Sequence, residues 1–254
     1  MGGENVTSKS MILGTTLGDE TRLDLYGGRD PRDIPNYTAK AAAHYLCVPL
    51  STVRSWVFGR PYKTQVGQKQ FKPVIKLPDY EIQLLSFTNL VEVHVLNAIR
   101  CFHRVSLDKV RRATAFIKEN TGQEHPLANK ELYTDGLDLF IDSFGEIVNV
   151  SKNGQLVMRG IIESHLERIE WDEAGIAALL YPFTRPNESS GPRLVVINPR
   201  ISFGRPVLAG TGIPTEIFAQ RYIAGESIDE LAMDYECERL QVEEAIRCEL
   251  SLAA

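Results

Sequence analysis

Between Tyr37 and Phe58 the apolar positions fall into two short helical runs. Thr38 can cap the first, which carries Ala42, Ala43 and Leu46. A break at Cys47, Val48 and Pro49 precedes a second run, where Val53, Trp56 and Val57 share one face and Gly59 ends the helix. That spacing makes Trp56 a core residue. Two short helices around a tight turn form a helix-turn-helix pattern. From Arg60 to Leu77 a weak two-residue alternation, with Gly67 as the turn, predicts a hairpin, and the segment reads as a winged helix-turn-helix.

Farther along, Leu84, Phe87, Leu90, Val91, Val95 and Ile99 predict one long apolar helix over 80–104. Its apolar surface exceeds one face, so Leu84, Phe87, Val91 and Val95 are expected either in a dimer interface or inside the protomer. Leu107, Val110, Thr114 and Ile117 mark another helix. Leu137, Leu139 and Ile141 alternate with Asp138, Phe140 and Asp142, a strand pattern, with turns expected at 143–145 and at Asn153–Gly154. Helical spacing returns from Met158 to Ile169. Pro182, Pro186, Ser189, Ser190, Gly191 and Pro192 read as a linker, and Leu194–Ile197 as a short strand. Pro214 suits a helix start and Gly225 its end; Ser227 and Glu230 match a capping box. A final helix carries Val242, Ala245, Ile246 and Leu250.

The expected fold class is mainly α with a small β component. An irregular arm covers 1–35 and the winged helix-turn-helix domain 36–78. A mixed α/β middle region, a candidate for dimerisation, covers 79–181. The linker covers 182–192 and a helical C-terminal domain 193–254.

Charge changes the picture locally. The chain carries −5 overall. Yet Asn36 to Pro78 holds seven basic residues and no acid, a net of +7. Such a surface attracts a phosphate backbone, although a lysine-rich helix pair can also be merely solvated. Helix pattern, hairpin and charge agree, and together they favour DNA. Ser51, Thr52, Arg54 and Ser55 open the second helix, where a helix-turn-helix reader meets base edges. With Thr38, Arg60, Lys63 and Lys69 they form the expected DNA-contacting set. The segment Glu226–Leu250 is the opposite, with nine acids against two arginines, a net of −7. It suits either a basic partner protein or a solvated face. Arg205, Glu226, Asp229, Glu230 and Glu243 are the expected partner contacts.

Little points to catalysis, and the chain is read as a non-enzyme without metal or cofactor. The glycines from Gly204 to Gly212 lack a P-loop's lysine, and Thr215 stands where a dinucleotide fingerprint needs its third glycine. Gly204, Pro206, Gly210, Thr211, Gly212 and Pro214 are read as structural turn residues. The five histidines form no metalloprotease motif, and the four cysteines no C-x-x-C pair, as expected of small buried side chains in a cytosolic protein. No apolar run could span a bilayer, and Met1–Ser10 lacks a signal peptide's apolar core, so the cytoplasm is expected.

The stretch from Asn198 to Arg247 resembles the small antitoxin domain called domain of unknown function four-three-three. Pro199, Gly204, Pro206, Gly210, Thr211, Ile213 and Pro214 carry the likeness, followed by "AGESIDELA" and "VEEAIR". The run "YTAKAAAHYLCVPLSTVRSW" resembles a MerR-like helix-turn-helix, and "LSFTNLVEVHVLNAIR" the middle of two-domain VapB antitoxins. These resemblances imply helix-turn-helix folds at both ends, a homodimer, repression of its own promoter, and a PIN-like nuclease toxin as partner. The acidic C-terminal helices favour a protein-contact role there. No long tail follows Leu250, which argues against an inhibitory C-terminal peptide. A stand-alone MerR-like regulator with a ligand-sensing middle region is the alternative.

Overall fold

Thr38 Oγ1 accepts from the Ala41 N–H at 3.0 Å and so opens helix α1, Ala39–Tyr45. Helix α2, Leu50–Phe58, follows a four-residue turn and stops at Gly59, whose φ is +73°. Strands β1, Arg60–Thr64, and β2, Gly67–Phe71, pair antiparallel from Arg60↔Phe71 to Thr64↔Gly67. The computed structural model describes residues 26–64, 67–101, 107–132, 137–138, 141, 152–185 and 191–250.

Helix α3, Phe87–Cys101, runs through the main core. Leu90, Val91, Val93, Val95, Leu96 and Ile99 are all fully buried, which puts apolar contacts on every side of it. Phe87, Val91 and Val95 are therefore buried inside the protomer, the second of the two places expected for them. The helix also starts later than expected, at Phe87. Ser86 and Asn89 cap it reciprocally, and Leu85 instead pairs its backbone with Tyr37 in a β-bridge. Helices α4, Leu107–Thr121, and α5, Lys152–Leu166, follow.

Two local expectations are corrected. Leu137, Asp138 and Ile141 are helical rather than extended. Leu137 and Ile141 are both buried, and i,i+4 spacing puts them on one helix face as readily as alternation would put them on one sheet face. Asn153 and Gly154 lie in the first turn of α5, not in a turn between elements. A first turn has no intrahelical N–H bonds to lose, so it tolerates poor helix formers. The turn expected at 143–145 lies outside the described residues.

Strands β3, Ile169–Trp171, β4, Ala177–Leu180, β5, Val195–Ile197, and β6, Pro206–Leu208, form an antiparallel sheet in that order. Helices α6, Thr215–Ile223, α7, Ile228–Asp234, and α8, Arg239–Leu250, then close around Phe218, Leu231, Val242 and Ala245. The capping box of Ser227 and Glu230 is present. The described part of the arm is tied down. Arg32 is buried between Asp30 and Asp172 at 2.5 Å from each. The linker is held at both ends, because Arg168 donates to the carbonyls of Tyr181, Pro182, Gly191 and Pro192.

The main core also contains two imidazoles. His94 Nε2 donates to the His165 carbonyl and His165 Nδ1 to that of Ile161, each at 3.0 Å. Burial pushes His165 down to about 4, and burial with the neighbouring His165 holds His94 well below its ordinary value. Both lowered groups stabilise the fold above the unfolded value of about 6.5 and lose that contribution as pH falls. His125 opposes them. Its hydrogen bond to Glu92 raises it, so its contribution is full at acid pH and fades as pH rises through neutrality. Two groups against one leave net acid lability. Going from pH 7 to 5 is expected to cost on the order of 2 kcal/mol for His165 alone. Urea denaturation at the two pH values measures it, and an unchanged midpoint contradicts it.

Candidate nucleic-acid interface

Helix α2 is anchored on one side only. Val53, Trp56 and Val57 are buried, whereas Ser51 and Arg54 are exposed and Thr52 half-buried. The base of the hairpin is stitched to this helix, since the Trp56 carbonyl accepts from the N–H groups of both Val74 and Ile75. Exposed polar residues near the start of α2 and the hairpin thus share one rigid support.

Within that support the expected residues separate. Arg54 leans over the Phe58 ring at 5.8 Å and stays accessible. Ser55 is only 9 % exposed and lies in the wall of the cleft beside the Phe71 ring. Thr38 is occupied as the α1 cap. Lys63 and Lys69 sit on the paired strands, opposite Gln68 and Tyr62. Arg60, expected from the sequence, is joined by three residues that sequence reading did not place here, Phe71, Arg100 and Arg111. The guanidinium groups of Arg60 and Arg111 lie 5.5 and 5.8 Å from the Phe71 ring centre, and Arg100 closes the cleft between the ring and α2. Arg111 also donates to the Lys72 carbonyl. No local signal joins Arg60, Phe71, Arg100 and Arg111, because the fold brings them from four separate elements.

The C-terminal unit differs. Arg221 pairs with Glu226 and Asp234, and Arg239 with Asp229 and Glu243. Glu230 is committed to its cap, and Arg205 stands 3.6 Å from Glu216. The expected partner contacts therefore already have internal partners. Between them Ile223 and Met233 stand 68 % and 74 % exposed, with Tyr222 and Leu240 nearly half exposed. Counting charges could not reveal these apolar side chains.

The turn residues precede α6. Gly204 has φ +73°, and a Cβ there would lie 2.2 Å from the Tyr37 hydroxyl, which donates to the Gly204 carbonyl. Tyr37 begins the N-terminal helices, so this glycine lets the two ends of the chain touch. In the next loop Thr211 Oγ1 donates to the Leu208 carbonyl and accepts from the Ile213 N–H, with Gly210 and Gly212 at positive φ beside it. Pro206 pairs with Ile197 in the sheet, and Pro214 precedes α6. At the other end of the unit Glu244, fully buried, accepts from Thr184, Arg185 and Arg247.

Among the described residues no cluster of three or more His, Cys, Asp or Glu could hold a metal, and no helix is long and apolar enough to cross a membrane.

Residues 195–247 match "Protein of unknown function (DUF433)". The chain is 30% identical over 221 residues to "Putative antitoxin VapB45" of Mycobacterium tuberculosis, covering 80% of this chain and 89% of the relative. It is 22% identical over 208 residues to the uncharacterised protein Rv2308 of the same organism, covering 78% and 83%. The crystal structure of Rv2018 from Mycobacterium tuberculosis superposes with a TM-score of 0.62 at 25% identity, covering 85% of this chain and 98% of that one.

Proposed function

The chain belongs to the family of the VapB45 relative, and from that membership we propose that it is the antitoxin and autorepressor of a type II toxin–antitoxin operon. The observation that carries the DNA half is the +7 helix–turn–helix–hairpin segment with Arg54 exposed on α2. In this reading the segment is a winged helix-turn-helix of MerR type, and the protein binds promoter DNA as a cytoplasmic homodimer. The toxin is a PIN-type nuclease. It docks on the helical unit beginning near residue 193, where Tyr222, Ile223 and Met233 supply apolar contact and the surrounding acids select a basic partner.

Co-expression with the product of the neighbouring reading frame tests the partner half. A stable complex that restores growth supports it. No complex, with promoter binding intact, supports a stand-alone regulator instead.

Roles divide within the DNA-binding segment. Arg54→Ala is expected to weaken binding to the protein's own upstream DNA more than to random DNA, because it reads bases. Lys63→Ala and Lys69→Ala are expected to weaken both equally and to flatten the salt dependence by about one unit each. Gel shifts over a salt series measure this. Unchanged affinity in all three variants contradicts it.

A further inference from the structure

A cleft opens between α2, the base of the hairpin and the last turn of α3. Its aromatic residues are Trp56 and Phe71. Ser51, Thr52 and Ser55 bring hydroxyl groups to it, and Arg60 and Arg100 bring guanidinium groups. The Ser55 side chain is more than nine-tenths buried, and its hydroxyl has no hydrogen-bond partner among the described residues. Arg60 and Arg111 crowd the same Phe71 ring without a carboxylate partner among the described residues. Arg111 Nε is buried with no hydrogen-bond partner among the described residues.

Like charges gathered on one ring repel, and a buried donor without an acceptor costs folding energy. An anion in the cleft would offset the gathered positive charge and accept from the Ser55 hydroxyl, the unpartnered donor that lines it. Hydroxyl donors beside guanidinium forks match the tetrahedral oxygens of a phosphate group. The cleft lies beside Ser51 at the start of α2, within the +7 segment. We propose that it seats one phosphodiester group of a nucleic-acid backbone, so that α3 takes part in binding through Arg100, which lines the cleft, and α4 adds the charge of Arg111 from beside the Phe71 ring. This rests on the DNA-binding reading given above.

One phosphate shared by several groups has a distinctive signature. Separate surface contacts each remove their own unit of salt dependence, whereas partners of a single phosphate remove the same one. The full-length protein is titrated into a labelled duplex of its own upstream region across a KCl series, read by fluorescence anisotropy. Arg60→Gln, Arg111→Gln and the double variant are each expected to weaken binding about tenfold and to flatten the salt slope by the same single unit. Arg60→Lys is expected to recover most of that slope. Ser55→Val changes no charge, yet it is expected to flatten the slope as well, because it fills the phosphate's place. Thermal melts confirm folding; if the valine variant is unstable, Ser55→Ala, which removes the donor without filling the site, is expected to weaken duplex binding about threefold with the slope nearly unchanged, and unchanged affinity would overturn the role of Ser55.

Titration with inorganic phosphate at constant ionic strength separates the sources. Stabilisation of the wild type but not of Ser55→Val at about millimolar phosphate, with all DNA slopes unchanged, assigns the cleft to a free anion and overturns the proposal. Wild-type binding with slopes that fall additively, or not at all, overturns it while leaving DNA binding intact. A wild-type protein that binds no duplex overturns both.

Discussion

Gly59→Ala is expected to destabilise the protein by about 4 kcal/mol and to abolish tight DNA binding with it. Two effects add. The residue has φ +73°, which a side chain adopts at a cost of about 1–2 kcal/mol. In addition a Cβ would sit 2.1 Å from the Phe71 carbonyl oxygen. That atom is backbone at the end of β2, and the hairpin base is fixed to α2 through Val74 and Ile75. The clash therefore cannot be relieved by a rotamer change; the hairpin must move relative to α2. Gly28→Ala is the control, because Gly28 has φ +76° with no atom within 4 Å of its added Cβ. It should cost about 1 kcal/mol and leave DNA binding alone. Chemical denaturation measures both variants. Equal costs would show that only the backbone angle matters.

Arg168→Met is expected to cost about 4 kcal/mol, a fall in Tm on the order of 10 °C. Arg168 is buried and makes four hydrogen bonds of 2.6–3.1 Å to backbone carbonyls on either side of residues 183–190, while stacking 4.7 Å from the Phe183 ring. Burial pushes it down to about 10, and it remains charged at neutral pH. Methionine fills the space and leaves the four carbonyls without this donor. Lysine keeps the charge but lacks the planar fork, so Arg168→Lys should recover only part of the loss. Calorimetric melts of the three proteins decide it. A methionine variant as stable as the wild type would mean that the proline-rich segment needs no clamp.

The N-terminal helices were legible because their apolar spacing, the Thr38 cap and the Gly59 stop all agree. The last three helices were legible from Pro214, Gly225 and the Ser227 capping box. Most of the four-stranded sheet was not. Its strands are only three or four residues long, and in β5 and β6 every residue is buried, so no alternation marks them. Charge counting located the basic segment but could not separate exposed Arg54 from buried Ser55. It also found the excess of C-terminal acids but not their internal pairing, although Arg239 and Glu243 stand at ion-pair spacing along one helix. Arg100 and Arg111 lie outside the basic segment, and only tertiary packing brings them to Phe71.

The most direct measurement is the affinity of the full-length protein for a duplex from its own upstream region, set against a scrambled duplex of equal length at physiological salt. Expected is a preference of at least about a hundredfold, falling to near unity in Arg54→Ala while affinity for the scrambled duplex barely changes. Equal affinity of the wild type for both duplexes, or binding to neither, would contradict an autorepressor built on this helix-turn-helix segment.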